Sequence, residues 1–167
     1  MSIIRLTTTI HCNIEVAFDL SRSIDLHIMS TKSTNEVAVA GVTSGLISLN
    51  ESVTWEATHL GIRQQLTAKI TIFERPFHFR DEMVKGVFDY FKHDHFFEAQ
   101  SHTTIMTDVF EFTSPFGVVG KLFDRIFLTR YMTKFLVERN NTIKQIAESP
   151  DSYKFLHFDK NGVHGKQ

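Results

Sequence analysis

A single cysteine, Cys12, stands in the 167-residue chain. One thiol excludes an intramolecular disulfide and cannot supply a cysteine zinc cluster. Proline is also scarce, three in all, which leaves long stretches open to strands and helices. Neither sign of charge dominates: 18 Lys and Arg oppose 19 Asp and Glu, for a formal net charge of -1. A nucleic-acid protein rests its affinity on a concentrated basic face, so this balance argues against such a partner. No apolar run approaches the ~18 residues of a membrane span, and stable membrane insertion is not expected. The opening residues, Met1-Ser2-Ile3-Ile4-Arg5, lack the basic-then-apolar pattern of a signal peptide. The expectation that remains is one cytoplasmic, disulfide-free domain.

Phenylalanine is in excess, with 16 Phe against 3 Tyr and 1 Trp. So many rigid apolar rings either pack an aromatic core or line a concave apolar space. Ligand pockets are built from such walls, with a few polar groups to orient the guest.

Residues 3–11 are rich in β-branched types and read as a strand. Asn13 then opens a short helix, with Glu15 in its first turn and Ile14, Ala17 and Phe18 at helical spacing. A second short helix starts near Ser23, followed by a polar loop over 31–35, a strand over 36–42 and a turn bounded by Gly41 and Gly45. Residues 52–60 alternate, with Val53, Trp55, Ala57 and His59 on one face. Gly61 turns the chain into a strand over 62–74, which Pro76 breaks. Strands over 77–84 and 87–98, joined near Lys85-Gly86, and a last strand over 103–113 complete the β region.

Ser114-Pro115 reads as the cap and first position of a helix reaching about Glu148. Leu122, Ile126, Met132, Leu136, Ile143 and Ala147 form its apolar stripe. At ~1.5 Å per residue it is about 50 Å long, enough to cross a domain. Lys121, Arg125, Arg130, Lys134, Arg139 and Lys144 read as its solvated face. Beyond Pro150 the tail holds Phe155, Leu156 and Phe158 with no period, an extension able to dock. A long helix beside a bent antiparallel sheet covers the concave face only partly, and the gap is a natural cavity.

This element order is similar to the helix-grip fold of the START/Bet v 1-like (SRPBCC) superfamily. At motif level the chain resembles a bacterial ligand-binding, polyketide cyclase-like branch of it. The residues that carry the likeness are Val53-Thr54-Trp55, Phe79-Arg80-Asp81-Glu82-Met83, the run from Phe91 to Phe97, Asp108-Val109-Phe110, Ser114-Pro115-Phe116-Gly117, Arg130-Tyr131-Met132 and Glu138-Arg139-Asn140. The resemblance implies a domain over 1–149, with 150–167 outside it. It implies an α+β helix-grip architecture: a seven-stranded antiparallel sheet wrapped around one long C-terminal helix, with two short helices between strands 1 and 2. It also implies binding of a small hydrophobic molecule, such as a lipid, quinone, polyketide or aromatic compound, between sheet and helix. Some relatives of this fold are acid/base enzymes of cyclase or hydratase type, and one scaffold hosts many chemistries.

The densest chemistry lies in the hairpin over 77–98. Centred near Val87, it pairs Arg80 with Asp94 and Glu82 with Lys92 on an outer, solvated face. The same register sets Asp81 opposite His93 and Met83 opposite Phe91. The inner face then reads Phe77, Phe79, Asp81 and Met83 against Phe91, His93, His95 and Phe97, and the next strand adds Met106, Asp108, Phe110 and Phe112. Two histidines and two carboxylates among phenylalanines must pair, or meet water or a ligand. They form a self-satisfied cluster, or orient a guest's polar group, or do chemistry as a His–Asp acid/base pair or as metal ligands.

Trp55, His59 and Tyr131 complete the expected binding wall. No cofactor, resident metal or catalytic residue is assigned. Cys12, His11, His78, His102, His157 and His164 have no clustered partner in the sequence, and Gly117 and Gly120 precede no phosphate-loop Lys.

Overall fold

The structure, a computed structural model, describes residues 1–59, 61–115 and 127–156. The chain runs β1 (Ser2–Ile10), α1 (Ile14–Ser21), α2 (Ile24–Ser30), β2 (Val37–Gly41), β3 (Ser52–His59), β4 (Ile62–Glu74), β5 (His78–Lys85), β6 (Tyr90–Gln100), β7 (Thr103–Thr113) and α3 (Thr129–Ala147). A 3₁₀ turn, Lys32–Thr34, lies within the expected polar loop, and a 3₁₀ helix, Pro150–Phe155, follows α3. All seven strands join one antiparallel sheet in the order β1-β7-β6-β5-β4-β3-β2. Strands adjacent in sequence thus pair throughout, except that β1 and β2 occupy opposite edges. The chain between them crosses through α1 and α2.

Bulges curl the sheet, one in β2 between Ala38 and Ala40 and others in the β4–β5 ladder beside Ala68 and Ile70. Gly41 permits the close return of β2 onto β3: its φ is +76°, and a Cβ there would collide with the Ser52 carbonyl. Ser23 starts α2 as expected, its hydroxyl accepting the Leu26 N–H at 3.3 Å.

Two aromatic clusters fill the concave side. In the first, Phe18 of α1 is fully buried and meets Phe73, Phe79 and Phe97 edge-on, with ring centroids 5.3–5.4 Å apart. Ile10, Met106, Ile143 and Ala147 join it, and Phe155 and Leu156 of the tail pack against it. In the second, Phe91, Phe110 and Phe112 surround Leu136 of α3. Each covered Phe contributes about 1.5–3 kcal/mol of burial free energy. Helix α3 packs on β1, α1 and α2, to one side of the sheet.

Several expectations are corrected. Pro115, expected as the first helical position, is not helical, and the helix is described over Thr129–Ala147. Leu122, Ile126, Lys121, Arg125, Phe116, Gly117 and Gly120 fall in 116–126, outside the described residues, as do His157, Phe158 and His164. Arg139 is not on a solvated face but 5% exposed. α3 lies against α1, where the Ser21 carbonyl accepts from its guanidinium at 2.8 Å. Phe77 is 60% exposed rather than inward. It belongs to the turn before β5, its N–H bonded to Glu74 O at 2.7 Å, so the strand's alternation does not reach it. His78 is not partnerless: it stacks on Phe96 and its Nε2 lies 2.7 Å from Asp94 Oδ1.

Candidate functional site

The register of β5 with β6 follows the sequence reading, with Arg80 opposite Asp94, Asp81 opposite His93 and Glu82 opposite Lys92. On the outer face Asp94 takes hydrogen bonds from Arg80 at 2.7 and 3.2 Å, while Lys92 reaches Glu111 at 3.1 Å. Burial opposes the charge of Asp94, but the Arg80 and His78 contacts hold its carboxyl below the usual value.

On the inner face β6 and β7 carry polar rungs between the two aromatic clusters. His93 faces Phe110 and His95 faces Asp108 across the ladder. Asp108 is fully buried. Its Oδ1 lies 3.1 Å from His93 Nε2, which is hydrogen-bonded to it, and 2.7 Å from His95 Nδ1, which makes an ion contact off the angle of a hydrogen bond. Its Oδ2 accepts from Asn140 Nδ2 of α3 at 2.6 Å, and Arg139 Nη1 lies 3.7 Å from Oδ1. On the other side of the histidines, Asp81 Oδ1 stands 3.1 Å from His95 Nε2 and 4.0 Å from His93 Nδ1.

This geometry sorts the charges. Burial disfavours ionised Asp108, yet the contacts with His93 and His95 prevail and hold it well below the ordinary carboxylate value. Burial likewise opposes Asp81, and His95 with His93 lowers it. Burial pushes His93 down, reinforced by the neighbouring His95, so it is the neutral ring. Burial works against His95 too, but contacts with Asp108 and Asp81 raise it. Two carboxylates therefore face the His95 and Arg139 cations, a balance that lets the group stay buried. The tautomers follow from these partners: Nε2 of neutral His93 donates to Asp108, leaving Nδ1 as a lone-pair acceptor beside Asp81.

A cavity of about 620 Å³ opens between sheet, α2 and α3. Of the predicted wall, Trp55, His59, Phe79, Asp81, Phe91, His93, His95, Phe110 and Tyr131 line it. Three residues do not. Phe97 is spent on the core with Phe18 and Phe79, Asp108 sits behind the histidines, and Met83 packs into the second cluster. His59 Nδ1 and the Tyr131 hydroxyl, 2.9 Å apart, tie the end of β3 to α3 across the cavity wall.

The sequence reading missed a second polar patch. His27 of α2 stacks on Trp55 with centroids 4.2 Å apart, and its Nε2 lies 3.3 Å from Glu36 Oε2. Both line the cavity, as do Arg22 and Arg139. Burial opposes ionised Glu36, and the nearby His27 and His59 lower its pKa. No local motif marks this patch, because α2 and the start of β2 meet only in the folded chain. Cys12 plays no part: burial raises its thiol to about 11, which suppresses the reactive thiolate.

No protein-family model matches the sequence, and no match was found among curated proteins. Solved structures do resemble it. The Zhui aromatase/cyclase from Streptomyces sp. R1128 superposes with a TM-score of 0.66 at 10% identity, covering 88% of this chain and 93% of that one. Ginseng major latex-like protein 151 from Panax ginseng gives 0.65 at 12% identity, covering 89% and 98%. A START superfamily protein from Mycobacterium smegmatis gives 0.65 at 8% identity, covering 86% and 98%. The chain has the helix-grip fold of the START/Bet v 1-like superfamily. No described helix is long and apolar enough to cross a membrane.

Proposed function

We propose that the chain binds a small, largely apolar molecule between its sheet and α3, with a polar group of the guest directed at Asp81 and His93. The observation that carries this reading is the cavity of about 620 Å³, of drug-sized ligand volume, walled by Trp55, Leu66, Phe79, Phe91, Phe110 and Met132. Apolar walls supply burial energy, and the few polar groups orient the guest. The likeness to an aromatase/cyclase and to a START superfamily protein supports a lipid, quinone or aromatic polyketide-like guest.

Trp55 is the one tryptophan of the chain and lines the cavity, so it reports occupancy directly. Titration with an environment-sensitive naphthalene dye is expected to quench Trp55 and to brighten the dye. A long-chain fatty acid or an anthraquinone then displaces it. Native mass spectrometry of the purified protein tests for a co-purifying guest. Absence of dye uptake, displacement and any co-purifying molecule would sink the proposal.

A second reading, an acid/base enzyme of cyclase or hydratase type, is favoured by one feature. Neutral His93 reaches the cavity with a hydrogen-bonded carboxylate, Asp108, behind it. His93→Gln abolishes turnover if this reading holds and only weakens dye binding if the protein is a carrier.

A further inference from the structure

Asp108 does something specific to the two histidines: it turns both rings the same way. His93 Nε2 and His95 Nδ1 face the one oxygen Asp108 Oδ1 at 3.1 and 2.7 Å. Their opposite nitrogens, His93 Nδ1 and His95 Nε2, are thereby aimed at the same Asp81 oxygen, at 4.0 and 3.1 Å. One donor atom from each of Asp81, His93 and His95 lies within 4.8 Å of the others.

We propose that Asp81, His93 and His95 hold a first-row divalent transition-metal ion on the cavity floor, with Asp108 as the carboxylate that orients both imidazoles. Two ligand atoms each about 2.0–2.1 Å from an ion stand roughly 3–3.5 Å apart. The pair formed by His95 and Asp81 already meets this at 3.1 Å. The His93 contact closes by a small rotation of Asp81, whose side chain is 20% exposed against 7% and 2% for the histidines. The ion takes the place of the proton that His95 Nε2 shares with Asp81, and that proton leaves to solvent.

Metal-bound histidine characteristically donates its other ring N–H to a carboxylate; here His93 Nε2 is hydrogen-bonded to Asp108 Oδ1 at 3.1 Å, and His95 Nδ1 makes an ion contact with the same oxygen at 2.7 Å. Asn140 Nδ2 anchors that carboxylate at 2.6 Å from its far oxygen. Two imidazoles and one carboxylate suit Zn²⁺ or Fe²⁺ and leave coordination positions open. All three ligand residues line the cavity, so those positions face its contents. A divalent ion and Arg139 against Asp81 and Asp108 leave one positive charge in excess. The open positions therefore favour an anionic oxygen, such as an enolate, a carboxylate or hydroxide.

The site shares the cavity of the proposed function but does not depend on its guest, so the test uses metal alone. Untagged protein, stripped with chelator, is titrated with Co²⁺ and followed by visible absorption, then with Zn²⁺ by calorimetry. The expected result is one ion per chain, with the intense visible bands of four- or five-coordinate Co²⁺. Asp81→Asn, at the least buried of the three positions, removes the bands while far-UV circular dichroism shows the chain still folded, and Asp108→Asn weakens affinity about 10–100-fold. No Co²⁺ or Zn²⁺ binding at micromolar concentrations, or a six-coordinate spectrum as weak as that of aqueous Co²⁺, overturns the proposal. So does binding undiminished in both Asp81→Asn and His95→Gln. The wild-type spectrum decides the matter even if a histidine variant fails to fold, and dye uptake by the stripped protein tests the cavity separately.

Discussion

Asp108→Asn keeps the shape of the side chain and removes its charge, at a position with no solvent exposure. The amide cannot serve both of its flanks. One oxygen of Asp108 faces His93 and His95 nitrogens, and the other faces Asn140 Nδ2. Whichever way the amide turns, its NH₂ group meets a donor. The His95 and Arg139 cations also lose half of their counter-charge. Leaving buried charges uncompensated costs about 3–5 kcal/mol, and for a chain of this length each kcal/mol moves the melting temperature by about 2–4 °C. Urea unfolding followed by Trp55 fluorescence measures the loss. Arg139→Gln, 3.7 Å away, completes a double-mutant cycle. The double variant should be less destabilised than the sum of the singles by about 0.5–3 kcal/mol, because each change removes the charge the other left unpaired. A single-variant loss under about 1 kcal/mol, or additivity within about 0.3 kcal/mol, would refute the picture of a charge-balanced buried cluster.

Ala68, 4% exposed on β4, lines the cavity. Ala68→Phe fills that space, so dye uptake falls sharply in titration while the melting temperature is held or raised. Phe18→Ala removes a ring enclosed by Phe73, Phe79 and Phe97 and costs about 3–5 kcal/mol in urea unfolding. Asp19 is pushed up by burial but pulled further down by the Arg75 and Arg22 hydrogen bonds, leaving its pKa below 3.8. A carboxyl with a depressed folded-state pKa stabilises the fold above its unfolded value and loses that contribution as pH falls through the folded one. Arg75→Gln therefore lowers stability at neutral pH and flattens its decline in acid, as read from melting temperatures between neutrality and pH ~3.

The inner and outer faces of β5, β6 and β7 were legible because strand alternation has a period of two, and one correct pairing fixes every other. The ladder pairs Asp81 with His93 as expected, and Asp108, expected near His93 or His95, stands opposite His95. Phe77 escaped the rule because the turn takes over before the strand begins. Arg139 escaped for a different reason. Helical periodicity says which residues share a face, but not that α1 and a buried carboxylate will cover that face. His27 and Glu36 belong to the same class, since α2 and β2 are joined in space by the sheet's curvature and by no local pattern.

The arrangement of the polar rungs bears on why they are there. A buried ion-pair network is weak evidence of a stabilising role, because well-packed hydrophobic residues of similar volume often do as well or better. Phenylalanine is abundant on both sides of the rungs, in Phe91 and Phe110 toward one cluster and Phe97 toward the other. Continuing the aromatic pattern through positions 93 and 95 would have given a drier, simpler sheet face. Asp108 and Asn140 are wholly enclosed and serve the protein alone, whereas Asp81, His93 and His95 open onto the cavity. A cluster built only to satisfy itself has no need of that exposed edge. The inward groups therefore act as support, and the three facing the cavity are the ones a guest or an ion would meet.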